Sequence, residues 1–302
     1  MLALVVTVLG LVPLGAIGVK LPEISQLTQA VRSGDDVEVE RVAARLGPVR
    51  LQRIAEHGKR EERLAALRAL GLVTDGWAML PGIARLIGES DADVAEHAAM
   101  AARRIAEGLS PQSLENDEVP RDVPARAATE LLLQAGKHEL RPSVRVAAIA
   151  ALAALRGVTR VDEAGLAKLL ADPEPQVRRG AAEALANVAT AEKALIESLT
   201  SDPVAEVSGA AAAALCRDVP ATASPKNAAE VRASRLLPPA RERLRALATD
   251  ETVGLADRID LLGCLRVWTS PADKVADQTV LDALSKQSPD PLKRRARSLG
   301  GR

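Results

Sequence analysis

The chain has 302 residues, 47% of them hydrophobic, yet it contains no Phe, no Tyr and only two Trp. Its core must therefore come from Ala, Leu, Val and Ile, which suits closely stacked helices and argues against a β-sandwich, whose strands draw on aromatic and β-branched residues. Forty Lys plus Arg balance forty Asp plus Glu, so both the basic surplus of a general nucleic-acid binder and the aromatic platforms for single strands are missing, and no nucleic acid is expected as a partner.

The first segment, Leu2 to Val19, is uncharged and apolar, broken by Gly10, Pro13 and Gly15. Three readings stand for it. It can be the hydrophobic region of a secretory signal, with Ala16-Ile17-Gly18 as a small-x-small cleavage site. It can stay in place as a single short membrane anchor, since about 18 apolar residues is near the lower limit for spanning. Or it can be a buried first helix that caps the fold, a reading helped by the lack of any Lys or Arg before the apolar run. The first two make residues 1–20 a signal peptide or anchor, and the protein exported (periplasmic or extracellular) or membrane-anchored through residues 2–19.

Residues 21–50 read as N-terminal capping helices, with Leu27, Ala30, Val31, Val39, Val42, Ala43 and Leu46 at helical spacing. From 51 to 302 one pattern recurs. Its clearest copy has a first helix ending near Ala171, Asp172 as the cap of a second helix with Pro173 in its first turn, and then Val177, Ala181, Ala184, Leu185 and Val188 on one stripe. Taking Val177 as the anchor, equivalent positions are Glu62, Val94, Val144, Val207 and about Gly254. Three junctions are spaced by 30 to 33 residues and two by nearly 50. The long ones hold insertions at 109–124, which is acidic (Glu115, Asp117, Glu118), and at 218–238, which is Pro-rich around a short helical stretch at 227–237. Both connect a second helix to the next first helix, so they belong on one rim, on the order of 30 Å apart at helix-packing distances. They are either binding elements or tolerated surface loops. The charged run Lys293, Arg294, Arg295 and Arg297 near the end reads as the solvated cap of a terminal repeat, with contact to an anionic surface as the alternative.

The pattern Asp-Pro-x-x-x-Val-Arg-x-x-Ala-Ala-x-Ala-Leu resembles the HEAT repeat, in particular the short bacterial form of the phycobilisome lyases, over roughly Leu51 to Gly263. The resemblance implies an all-α, right-handed α-α superhelix, a HEAT-like solenoid of about six helix pairs plus end caps, preceded here by the hydrophobic N-terminal segment. It also implies a ladder of Asp and Arg between repeats, from which Glu62 (for Val), and Ala95 and Ser208 (for Arg), depart.

Chemistry-bearing motifs are sparse. The three histidines are His57, His97 and His138. Deoxyhypusine hydroxylase, another HEAT-like protein, binds iron through repeated His-Glu dyads; this chain has one such dyad, His138-Glu139, with Glu56-His57 and Glu96-His97 reversed, so that ligand set does not carry over. No phosphate loop, nucleophile elbow or Cys-x-x-Cys is present, and no cofactor or metal is expected. Cys216 and Cys264 occupy near-equivalent repeat positions about 10 Å apart, against the roughly 7 Å a disulfide allows. Free buried thiols are favoured, although the one-residue offset and the intervening insertion leave a bridge open. Trp77 and Trp268 fall at matching places after Gly71 and Gly263, where each closes a helix end or offers an interface anchor.

The expected function is a non-catalytic protein–protein interaction scaffold that takes a partner protein or peptide along the groove or the rim loops. The alternatives are an accessory subunit or lyase-like factor of the phycobilisome lyase type, and a structural spacer. The resemblance assigns the groove to the second helices. Off-stripe residues there are Val146, Ala147 and Ala150, then Arg179, Gly180 and Glu183, then Gly209, Ala210 and Ala213, with charges such as Arg103 and Arg104 nearer the ends.

Overall fold

The computed structural model describes residues 22–73, 76–109, 122–137, 140–186, 188–216, 238–255, 258–259, 261, 271–287 and 293–294. Among them are fourteen α-helices and no strand. The helices come in consecutive antiparallel pairs: α1 (Pro22–Ser33) with α2 (Asp36–Leu46), α3 (Pro48–His57) with α4 (Arg60–Leu70), and α5 (Leu80–Leu86) with α6 (Ala92–Gly108). Then follow α7 (Asp122–Lys137) with α8 (Pro142–Leu155), α9 (Glu163–Lys168) with α10 (Pro175–Ala184), and α11 (Glu192–Ser201) with α12 (Ala205–Cys216). Helices α13 (Pro238–Thr249) and α14 (Pro271–Gln287) follow.

Second helices stack in single file, α4 on α6, α6 on α8, α8 on α10 and α10 on α12. Each is therefore covered by its own first helix and by two neighbours, so its apolar residues spread around most of the cylinder. In α8, Val144, Ala147, Ala148, Ile149, Ala151, Leu152 and Leu155 are all buried, the all-round pattern of a helix inside a core. Small residues set the spacing. A Cβ on Gly71 would stand 3.3 Å from Ala101 Cα, and one on Gly136 would stand 3.2 Å from Ile149 Cγ1. No large aromatic fits between helices that approach so closely. Trp77 instead sits at the margin, half-buried against the core in a 3-10 turn, Gly76–Met79.

The turns are specified locally. Gly47, at φ +74°, closes α2 through its N–H to Ala43 O and opens α3, a backbone geometry that favours glycine. Asp35 and Asp91 cap α2 and α6 with their carboxylates. Glu62, which departs from the repeat pattern, accepts a hydrogen bond from Lys59 N (3.0 Å) and so helps cap its own helix.

Asp172 does not cap α10 as the sequence implies. The helix opens at Pro175, so Pro175 rather than Pro173 lies in its first turn. The Asp172 carboxylate caps the preceding turn by accepting from Glu174 N, and it also receives Arg145 from the repeat before, Nη1 to Oδ1 at 3.1 Å and Nη2 to Oδ2. The rung repeats one unit on: Arg178 donates Nε and Nη2 to Asp202 at 2.7 and 3.1 Å. Both pairs are buried, with side-chain exposures of 7% and 9%, and of 12% and 5%. A third, more open rung joins Arg63 to Glu89 at 3.1 Å. The insertion boundary also shifts, because Asp122 to Pro124 already belong to α7. Residues 110–121 and 217–237, which make up most of both insertions, lie outside the described residues, as do residues 1–21.

A buried ion pair broken on one side leaves a charge without compensation. Arg145→Met or Asp202→Ala should therefore cost about 3–5 kcal/mol, read by urea denaturation. Burial alone would push the Asp172 carboxyl up, but the Arg145 guanidinium, the Glu174 N–H and the Arg178 charge hold it below the usual range. A depressed folded pKa gives stability that is present above the unfolded value and lost as pH falls through the folded one. Asp172→Asn should thus flatten the acid limb of Tm against pH below about 4, and an unchanged limb would refute the rung's role there.

Candidate functional site

The nine residues expected to face a groove divide into two sets. Val146, Ala150, Gly209 and Ala213 are half-exposed along α8 and α12, and Arg179 and Glu183 are exposed on α10, bonded to each other at 2.9 Å. These six lie on the accessible side of the second-helix stack. Ala147 (3% exposed), Gly180 and Ala210 (9% exposed) do not: they are buried between helices. A Cβ on Gly180 would meet Val146 Cγ1 at 3.5 Å, so that glycine faces the preceding second helix. The physical reason is the three-sided burial of each second helix, which turns part of the off-stripe arc into inter-repeat contact.

A cleft of about 330 Å³ continues this face between α4 and α6. It is lined by Leu67, Arg68, Glu96, His97, Met100, Ala101 and Arg104. His97 Nδ1 lies 2.8 Å from Asp93 O, and because a carbonyl only accepts, Nδ1 is the donor in this contact. Met100 is 40% exposed. Met100 is not among the residues expected on this face. The available signal was an apolar Met on an α6 face otherwise made of Asp93, Glu96, Arg103, Arg104 and Glu107.

A larger hollow of about 1010 Å³ opens in the first-helix layer between α7 and the start of α9. Helix α9 spans only six residues and leaves the 16-residue α7 partly uncovered. Its wall mixes Arg126, Lys137 and Arg160 with Glu130, Asp162 and Glu163. The acids already serve the fold: Asp162 caps α9, Glu163 accepts from Thr190, and Glu130 accepts from Gln134.

Among the described residues no three His, Cys, Asp or Glu side chains gather where they could hold a metal ion. His57 ends α3 beside Glu56, largely in solvent, and His138 lies outside the described residues, as do Cys264 and Trp268; Cys216 enters only as the last residue of α12. No described helix is long and apolar enough to cross a membrane.

Residues 129–216 match the family model of HEAT repeats. The stretch runs from within α7 to the end of α12 and contains both buried Arg–Asp rungs. The match is to HEAT repeats as such and does not single out the phycobilisome lyase form. No curated protein matches the chain. HEAT repeats are generally protein-interaction scaffolds and generally non-catalytic.

Two glycines of the second helices have room for a side chain. Nothing lies within 4 Å of a Cβ on Gly209, and the one on Gly180 makes only ordinary contact. Gly209→Ala and Gly180→Ala should each stabilise the protein by about 0.5–1 kcal/mol through helix propensity, seen as a raised urea midpoint. A lowered midpoint would contradict the geometry.

Proposed function

We propose that this HEAT repeat protein is a non-catalytic scaffold that holds a partner protein or peptide against the stacked second helices. What supports the reading is one continuous surface. Val146, Ala150, Gly209 and Ala213 make a low, weakly apolar floor, and the Arg179–Glu183 pair stands on α10 between them. Small side chains let a second backbone come close, which suits an amphipathic helix or an extended peptide. The helices beneath are tied together by the buried rungs, so the surface is organised before a partner arrives, which lowers the entropy cost of binding.

We further infer that the protein works outside the cytoplasm or at a membrane, on the strength of the apolar run at residues 2–19. The rim insertions are a second candidate contact.

Photo-crosslinking in the native cell from position 150 or 213 should capture a discrete partner. Ala213→Glu should remove that capture while leaving the urea midpoint unchanged, because Ala213 is half-exposed. Ala210 is the wrong probe, since a charge at that buried position would unfold the repeat. Capture that survives both Ala150→Glu and Ala213→Glu would remove the second-helix face from consideration.

A further inference from the structure

The cleft between α4 and α6 carries a charge imbalance that specifies what it takes. Its acids and its other guanidinium are already neutralised. Glu96 is paired with Arg141 at 3.4 Å. Asp93, one turn earlier on α6, is paired with Arg60 and Arg141. Arg68 reaches Asp36 at 2.7 Å. Arg104 is exposed and has no ion-pair partner among the described residues. Its stem runs over the end of α4, where its Cδ would come within 3.2 Å of a Cβ on Gly71. The guanidinium is thus a cation beside the cleft with no ion-pair partner among the described residues.

Met100 stands one helical turn before Arg104 on the same lining of the cleft. Residues at i and i+4 have Cβ atoms about 6 Å apart. Beside them Leu67 and Ala101 are buried and supply an apolar floor.

We propose that this cleft is a docking site for a peptide segment of a partner protein carrying a carboxylate one helical turn from an aliphatic side chain, the carboxylate taken by Arg104 and the aliphatic group by Met100. The proposal rests on the scaffold reading above and names one chemistry within it. A helical partner meets the spacing with Leu and Glu four residues apart, and such a segment lying across the second helices would continue toward Val146.

The test uses the full chain and three fluorescein-labelled, Ala/Gln-based helical peptides that differ in one residue, pairing Leu with Glu, Gln or Lys at i, i+4. By fluorescence anisotropy at low salt the Glu peptide should bind at least about tenfold tighter than the Gln peptide, as expected for a charge-assisted hydrogen bond. Arg104→Gln should erase that preference, Arg104→Lys should restore part of it, and Arg104→Glu should favour the Lys peptide. Met100→Glu should weaken all three peptides. Arg104 and Met100 are both partly in solvent, so circular dichroism should show these variants folded.

Equal binding of the Glu and Gln peptides, a preference that survives Arg104→Gln, or no binding at all would overturn the proposal. So would affinity that rises about tenfold when Glu115, Asp117 and Glu118 are neutralised, since the chain's own acidic stretch would then be the occupant. Photo-crosslinking from positions 150 and 213 reads the broader surface independently, so capture there alongside failure here would leave the scaffold reading standing and remove only this chemistry.

Discussion

Two arginines, Arg145 and Arg178, lie almost wholly out of solvent, and each is tolerable there only because the next repeat delivers an aspartate to it. An isolated buried guanidinium would cost several kcal/mol. Placed bidentately on Asp172 or Asp202, the same group also bonds backbone of its own repeat: Arg145 Nε donates to Gly136 O, and Arg178 Nη1 donates to Asp172 O. One side chain therefore closes the turn inside its helix pair and fixes the pair that follows. Apolar packing among Ala and Leu is permissive about register, because a slip by one turn still sets small residues against small residues. A charge that must find its aspartate is not permissive. The rung supplies the specificity that an aromatic-free core lacks.

Among the described residues, both junctions that carry the insertions lack the forward rung. Ala95 and Ser208 stand where arginine would reach forward. At both places an arginine of the following repeat reaches back instead. Arg141 approaches Asp93 and Glu96, and Arg243 approaches Asp202 O at 3.4 Å. Ser208 keeps the local half of the lost function by donating to Asp202 O, the carbonyl equivalent to the one Arg178 uses. These backward contacts are longer and, at Arg141, half in solvent, so they hold register less firmly than the buried rungs. At the first junction the α6–α8 contact is extensive and compensates.

This division explains what the sequence made legible. The Ala/Leu stripes, the pairing of helices and the repeat spacing follow from local periodicity, and stripe positions such as Ala98, Leu152, Val177 and Ala211 are buried as their spacing implies. The gaps at Ala95 and Ser208 were visible too, since a missing arginine is a feature of one repeat alone. The use of Asp172 was not. An aspartate before Pro at a helix start has an obvious local task, and only the neighbouring repeat shows that its carboxylate is shared with Arg145. Three of the nine residues expected in the groove, Ala147, Gly180 and Ala210, are buried for a related reason. Helical periodicity separates a buried from an exposed arc for one helix against one partner. Gly180 and Ala147 lie on an arc closed by a third and fourth helix, which periodicity does not count.

The same geometry limits what the second-helix face can be. Because Ala147, Gly180 and Ala210 are consumed by inter-repeat packing, the accessible strip is narrow: Val146 and Ala150 on one helix, Gly209 and Ala213 on another, with the Arg179–Glu183 pair between. So little apolar surface gives a partner modest affinity from burial alone, at about 25 cal/mol for each Å² removed from water. Specificity must then come from the polar groups that break the strip's uniformity. The buried Arg–Asp rungs are spent on the fold and cannot supply it, since any ligand that drew on them would loosen the repeats. What remains for recognition is charge the fold leaves uncommitted, and at the α4–α6 end of the second-helix face Arg104 stands beside Met100 as such a charge.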